Sequence, residues 1–583
     1  MSNKNNGYDG ERSQPVKSDK YDGEREQPVK SVSLVLLIST IARCISLAGN
    51  MSYTAWFGYT LETDIYTYAV NLPNIIFTCI GTALVTVVIP IFAGRLGSGD
   101  KEKAYSFIDN VITVSLIFAA AVALAGIAAS PAIVGMIGKF NAGNPSLALF
   151  SLRLMFPVIL FHAVNYVLQG VLQSNARYLM PAAVSALSGF AILIYIGLFA
   201  ERFGIRGLLV ATFVGLAAQA LFLVYPTRRF TGYRYRPSLR LADGDMRLAG
   251  RLALPVLVSS SSYQLNMFLN STFAARFEGG VLTVTNMLTL AFTASQLFII
   301  SALSVFFPKM SAKYATGDVK GFLDSYRSVL RLIIIFAVPA SAALAYLSRF
   351  LIPLLYGRGK VTQGDISISI TVFSIYACSI ASIGFKEAAD RAFYSIRDSR
   401  TPAAVSIAIL IINVALSLLL MKAIGLAGLP AAYLIAISSG AAMLLLILRS
   451  RIKRMAGRND VVQPDKDKKD EIFSLAFKCI LSTCIMLVAL LLTEAALGRL
   501  LPALGDAFSP APVDASSPAL GGSYSSALYQ VICIVTMTVT GGLAYAAAAY
   551  AMHIAEFRNF LSRRVAELLS LVHVVLRRHT NCK

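Results

Sequence analysis

The stretch "PIFAGRLGSGDKEKAYSFIDNV", residues 90–111, returns in outline as "PKMSAKYATGDVKGFLDSYRSV" at 308–329. Both start with proline, carry a base five residues on (Arg95, Lys313) and place Gly-Asp at nine and ten (Gly99-Asp100, Gly317-Asp318). The offset is 218. A second pair, "SNARYLMPAAVS" (174–185) and "SIRDSRTPAAVS" (395–406), repeats at an offset of 221. Two independent matches at nearly one offset indicate an internal duplication of about 220 residues, and such self-similarity fixes the architecture before any single helix is assigned.

The chain around these repeats is strongly apolar. Of 583 residues, 56% are hydrophobic and 14% charged, and mean hydropathy is +0.65. Apolar runs of ~20 residues recur throughout, the length that crosses a hydrocarbon core as a helix. The period-two alternation of a β-barrel is absent. The reading is an all-α polytopic membrane protein of about 14 transmembrane helices, near 33–57, 68–92, 108–136, 147–173, 180–200, 206–226, 251–276, 282–308, 327–347, 366–394, 402–421, 428–448, 472–494 and 525–553. Each repeat holds six spans. Six is even, so both copies enter from the same side, as two parallel lobes with a site between them near mid-membrane.

This gives seven regions: a disordered polar tail with a tandem repeat (1–31), a first lobe (32–226), a basic linker (227–250), a second lobe (251–450), a charged linker (451–471), two added spans (472–555) and a basic amphipathic tail (556–583). The net charge of +21 is explained by topology. Alternate loops hold 27 Lys and Arg against about nine in the others, so the positive-inside rule places both termini in the cytoplasm. Nucleic acid is not expected as a partner. Seven scattered cysteines and four dispersed histidines show no metal-ligand spacing, and no nucleophile–base set or phosphate-binding glycine loop appears. The reading is therefore transport rather than catalysis, with no metal and no cofactor.

Polar groups inside spans are costly, so they are the candidates for function. Arg43 lies about eleven residues into the first span, roughly 16 Å deep, where a guanidinium suits a phosphate or pyrophosphate; its plain alternative is bonding to helix carbonyls. Asn74 follows Pro73 in "NLPNIIFTCIGTALVTVVIP" (71–90), where a kinked helix could line a cavity. Gln264 and Asn270 follow the serine run 259–262 in the seventh span, and suit either a wet face or interhelical bonding. Arg43, Asn74, Gln264 and Asn270 are the substrate-binding candidates. Asp64, at the start of the second span, and Lys386, Glu387, Asp390 and Arg391, spaced as i, i+4 pairs in the tenth, are candidates for a gate or ion site. A solvated, paired helix end is the alternative for the last four.

Several segments resemble the MurJ/MviN family, lipid II flippases of the multidrug/oligosaccharidyl-lipid/polysaccharide exporter superfamily. The resemblance runs over roughly residues 35–450 and rests on "TDIYTYAVNLPN" (63–74), "VVIPIFAGRL", "LYGRGKVTQGD" (355–365) and "AFYSIRDSRTP" (392–402). It implies two six-helix lobes in a V, a cationic cavity for the head of an undecaprenyl-pyrophosphate-linked saccharide, and a groove for the lipid tail formed by the last two helices. It also implies alternating access in the cytoplasmic membrane of a bacterium, with membrane lipids and cell-wall synthesis proteins as partners. Arg43 matches the family's first arginine. The second, six residues on, is Gly49 here. The arginine expected after Pro-Asn is replaced by Phe77 and Thr78, and that of the eighth span is absent. Export of another lipid-linked oligosaccharide or amphipathic small molecule, and a non-transporting scaffold, stay open as alternatives.

Overall fold

The computed structural model describes residues 26–97, 100–175, 177–240, 243–275, 283, 306–307, 310–314, 316–396, 398–458, 466–500 and 520–554. The eighth expected span falls largely outside these residues. So do positions 1–25 of the polar tail and the basic tail 556–583.

Every described element is helical. The first lobe comprises α1 (Glu26–Phe57), α2 (Leu61–Gly97), α3 (Lys101–Met136), a short α4 (Gly138–Gly143), α5 (Pro145–Met155), α6 (Val158–Ser174), α7 (Leu179–Ala183), α8 (Ala186–Leu198) and α9 (Ala200–Thr231). The second comprises α10 (Gly244–Ala274), α11 (Val319–Tyr356), α12 (Gln363–Cys378), α13 (Ile380–Ser395), α14 (Arg400–Ile424) and α15 (Gly428–Arg458). Two further helices follow, α16 (Lys466–Leu500) and α17 (Leu520–Ala551). Nine helical stretches among the described residues are long and apolar enough to cross a membrane. Helix α1 starts at Glu26, inside the stretch read as a polar tail, and the linker between lobes shortens to 232–243 because α9 and α10 both extend into it.

The duplication survives at the level of single hydrogen bonds. Asp100 N–H donates to Arg95 O (3.2 Å) and Asp318 N–H to Lys313 O (3.0 Å). Each aspartate then caps the next helix, Asp100 accepting from Lys103 N–H and Asp318 from Gly321 N–H, which satisfies an otherwise orphaned donor. At an offset of 221, Arg177 N–H bonds Leu172 O and Asp398 N–H bonds Phe393 O, both at 2.9 Å. The turns into α9 and α15 use Gly204 (φ 55°, ψ −149°) and Gly425 (φ 62°, ψ −138°), a conformation open to glycine alone at low cost. The breaks between α5 and α6 and between α12 and α13 fall within two residues of each other at that offset.

The lobes meet along α2 and α10. Tyr68 lies beside Thr272, Cys79 lies beside Ser261, and Arg95 forms a two-point ion pair with Asp245 at 2.7 and 2.8 Å. In each pair the two residue numbers sum to the same value, as they must for two antiparallel helices that stay in register over their whole shared length. Helices α16 and α17 pack on each other and on α11, where Tyr545 Oη donates to Ile335 O at 2.7 Å.

Candidate functional site

Arg43 projects from the flank of α1 turned away from α8. It is exposed, and no ion pair or hydrogen bond engages it among the described residues. Asn50 and Thr54 lie on the same flank, two and three turns on. The face toward α8 is closed by glycines. A Cβ on Gly49 would lie 3.0 Å from Gly189 O, and one on Gly189 would lie 2.8 Å from the Ser46 backbone. The helices approach so closely because neither position carries a side chain. Position 49, where the family resemblance implies an arginine, is therefore a packing contact.

Of the two residues at the second replaced position, Phe77 and Thr78, the first behaves in the same way. Phe77 is 1% exposed and stacks on His162 with ring centroids 6.5 Å apart. It belongs to the α2 face that packs on α6, where Gly81 takes the Tyr166 ring. His162 serves this packing. On α2, Asn71, Asn74 and Thr78 form a polar stripe between the face toward α10 and the face toward α6. Asn74 is exposed; Thr78 Oγ1 donates to its backbone oxygen at 2.6 Å and reaches its side-chain oxygen at 3.4 Å, the back-bond of a hydroxyl to the carbonyl one turn earlier.

Asp64 is fully buried. Lys139 Nζ, from α4, donates to its Oδ2 at 2.9 Å. Thr283, from the second lobe, donates both its N–H and its hydroxyl to Oδ1, each at 2.9 Å. Thr67 extends the contact to Thr283 at 3.2 Å. Nearby, the 357–362 loop crosses between lobes: Lys360 N–H donates to Ala55 O at 3.0 Å. Gly359 has φ 68°, and a Cβ there would fall 1.9 Å from Ala55 O, so only glycine permits the crossing. The Asp64 end of the two lobes is thus sealed by a buried carboxylate, its own lobe's lysine and the partner lobe's threonine.

The remaining candidates lie within the second lobe. Gln264 is half-buried on α10. Asn270 is 6% exposed; its amide donates to Asn266 Oδ1 at 2.8 Å, and Asn413 Nδ2 of α14 donates to Asn266 and Asn270 at 3.2 Å each. Asn270 is engaged in this interhelical triad rather than facing an open cavity. Lys386 Nζ donates to Asp390 Oδ2 at 2.6 Å and lies 3.9 Å from Glu387, which is 3.9 Å from Arg391. Asp390 is 5% exposed, so this is a buried pair rather than a solvated helix end. Arg391 also covers the Phe307 ring at 5.5 Å.

An apolar groove of about 250 Å³ opens between α11, α16 and α17. Its walls include Phe336, Pro339, Leu490 and Met537, and Gly541 and Gly542 thin the α17 wall. Beyond one end, Glu494 of α16 accepts from Tyr346 Oη and pairs with Arg349 at 3.0 Å, holding the added helices to the second lobe. Sequence reading did not single out Lys139, Thr283, Asn413 or Glu494. Each lies 75 or more residues from the partner that reveals it; only Asn413 and Glu494, polar in otherwise apolar runs, gave any signal.

The family model described as "Lipid II flippase MurJ" matches residues 53–502. A probable lipid II flippase MurJ of Treponema pallidum is 23% identical over 408 residues, covering 67% of this chain and 76% of that protein. The corresponding protein of Borreliella burgdorferi is 22% identical over 392 residues, covering 66% and 76%. Among solved structures, "Lipid II flippase MurJ, inward closed conformation" superposes with a TM-score of 0.70 at 18% identity, covering 91% of this chain and 99% of that one. An inward-facing MATE family transporter of the MOP superfamily superposes at 0.62 and 15% identity, covering 73% and 99%. Over most of its length, then, this all-α membrane chain belongs to the lipid II flippase MurJ family.

Proposed function

We propose that the chain carries lipid II, an undecaprenyl-pyrophosphate-linked peptidoglycan precursor, from the inner to the outer leaflet of a bacterial cytoplasmic membrane by alternating access. The Arg95 end is the cytoplasmic one, by the arginine and lysine excess of its loops. The observation that carries this reading is the family match together with Arg43, a guanidinium deep in a span with no ion pair among the described residues. Such a group is stabilised by the pyrophosphate it receives. Asn74 and Gln264 are added contacts to the saccharide head, and the α11–α16–α17 groove takes the polyprenyl tail. Asp64 works as the outer gate. When the lobes part, the Thr283 bonds break while Lys139 stays with the carboxylate, so its charge is never left unpaired.

The burial of positions 49 and 77 favours a second reading. With family arginines replaced by Gly49 and by Phe77 and Thr78, a head group carrying less negative charge than pyrophosphate would also be held by Arg43 alone. The test is complementation of a strain depleted of its lipid II flippase. Rescue by the wild-type chain and loss of rescue with Arg43→Ala are expected. Membrane-inserted wild-type protein that fails to rescue removes lipid II as substrate; rescue by Arg43→Ala removes Arg43 from the binding site.

A further inference from the structure

The linker between the lobes is bonded to the first lobe as a strap. Tyr233 Oη and Arg236 N–H both donate to Asp109 of α3, at 2.6 and 2.9 Å. Asn110 exchanges two bonds of 2.7 Å with the Arg240 backbone, and Tyr235 Oη lies 2.9 Å from Thr113 Oγ1. Asp109 and Asn110 are 7% and 1% exposed. Two buried polar side chains are spent on holding an irregular segment against a helix, which is worth its desolvation only if the segment's position matters.

Beneath the strap, α3, α6 and α9 leave a cleft of about 190 Å³. Its walls are apolar, Ile112, Leu116, Val164, Leu168 and Val224, and its mouth carries Arg228, Tyr233 and Tyr235. On α9 the stripe leading to Arg228 is Leu221, 71% exposed, and Tyr225, 66% exposed, a surface that suits acyl chains rather than water. Arg228 at the mouth and Arg234, Arg236 and Arg240 along the strap are exposed, and none pairs with a carboxylate among the described residues. Asp109, the acid closest in sequence on α3, is taken up by the strap, and Asp245 by Arg95.

An apolar slot at membrane depth, closed at the cytoplasmic end by unpaired guanidinium groups, is complementary to one kind of molecule. We infer that this cleft binds an anionic diacyl phospholipid, with one acyl chain between α3, α6 and α9 and the phosphate at Arg228. The basic excess at this end attracts anionic lipid generally; the cleft converts that attraction into a site on the first lobe, distinct from the path between the lobes. A lipid seated there braces the strap through which the two lobes are joined.

The test uses the full-length protein in detergent, titrated with phosphatidylglycerol or with phosphatidylcholine of the same chains and read by native mass spectrometry. Phosphatidylglycerol is expected to be retained over phosphatidylcholine. Arg228→Gln should weaken it about fivefold, the effect of about one surface charge. Val224→Trp, which fills the cleft, should abolish it, and Arg202→Gln, at the opposite end of α9, should leave it unchanged. Millimolar inorganic phosphate should not displace it. Equal retention of both lipids, no change with Arg228→Gln, or an equal loss with Arg202→Gln overturns the inference, as does displacement by free phosphate. Unchanged retention by Val224→Trp that elutes as folded protein also overturns it; if that variant does not fold, the Arg228→Gln result decides.

Discussion

The two lobes share a backbone and differ at one layer of their interiors. In the first, Gln169 of α6 donates to Asn165 at 2.8 Å, Asn165 to Gln219 of α9 at 3.3 Å, and Gln219 to Ser188 of α8 at 2.9 Å. At the offset of 221, these positions are Lys386 and Asp390 of α13, Gly440 of α15 and Ile409 of α14. The neutral amide pair has become an ion pair at the same i, i+4 spacing. The glutamine has become a glycine, whose empty space is filled by Ile409: a Cβ on Gly440 would fall 2.2 Å from Ile409 Cδ1. So the first lobe ties three helices together through hydrogen bonds, whereas the second closes the same joint with an isoleucine and keeps its polarity within α13. One backbone thus accommodates two solutions to burying polar atoms. A neutral network stabilises modestly across helices, and a charged pair is costly to bury but more costly to split.

Splitting that pair should have the largest effect. Lys386→Ala leaves Asp390 buried and uncompensated, and should destabilise by about 3–5 kcal/mol, measured as the denaturation midpoint in detergent. Asn165→Ala, at the equivalent place, should cost about 1–2 kcal/mol. Equal losses would show that the two layers are not energetically distinct. Lys139→Ala removes the cation paired with Asp64 and, if the outer gate is as proposed, should shift a cysteine placed on the 357–362 loop toward reactivity with an impermeant thiol reagent. Unchanged labelling would remove Lys139 from the gate.

Transplants sharpen the comparison. Lys386→Asn with Asp390→Gln writes the first lobe's amide pair into the second. It should stay within about 1 kcal/mol of wild type, because replacing both charges avoids an orphan. Gly440→Gln alone should cost about 1–3 kcal/mol through overpacking against Ile409, and adding Ile409→Ser should recover most of that loss. Failure of the rescue would mean that the helix spacing, rather than these side chains, differs between lobes.

The smallest effect concerns the repeat-related caps outside the membrane. The Lys103 ammonium beside Asp100 holds that carboxyl below its ordinary value, and the Gly321 N–H does the same for Asp318. A depressed carboxyl stabilises above its unfolded pKa of ~3.9 and loses that contribution as pH falls through its folded value. Acidification below pH 4 should therefore weaken both caps. Asp100→Asn and Asp318→Asn should flatten the acid limb of the stability profile by similar small amounts, since both sites are exposed. A much steeper response at one of them would show that its cap carries an interaction that its repeat partner lacks.

The sequence by itself determined the helical class, the membrane setting, the duplication and most helix positions, because each depends on hydropathy and spacing along one strand of chain. It also located Arg43 and Asn74, since polarity in an apolar run is visible without a partner. The tertiary structure decided what those polar groups do. That Asp64 is a buried interlobe contact depends on Lys139 and Thr283, 75 and 219 residues away. Gly49 and Phe77 read along the chain as missing charges, and only the approach of α8 and α6 makes them packing residues. Asn270 suited either a wet face or interhelical bonding, and Asn413 from another helix makes it the second. Periodicity records which face of a helix is apolar; whether a polar atom meets water, a ligand or another side chain is set by which helices the fold brings against it.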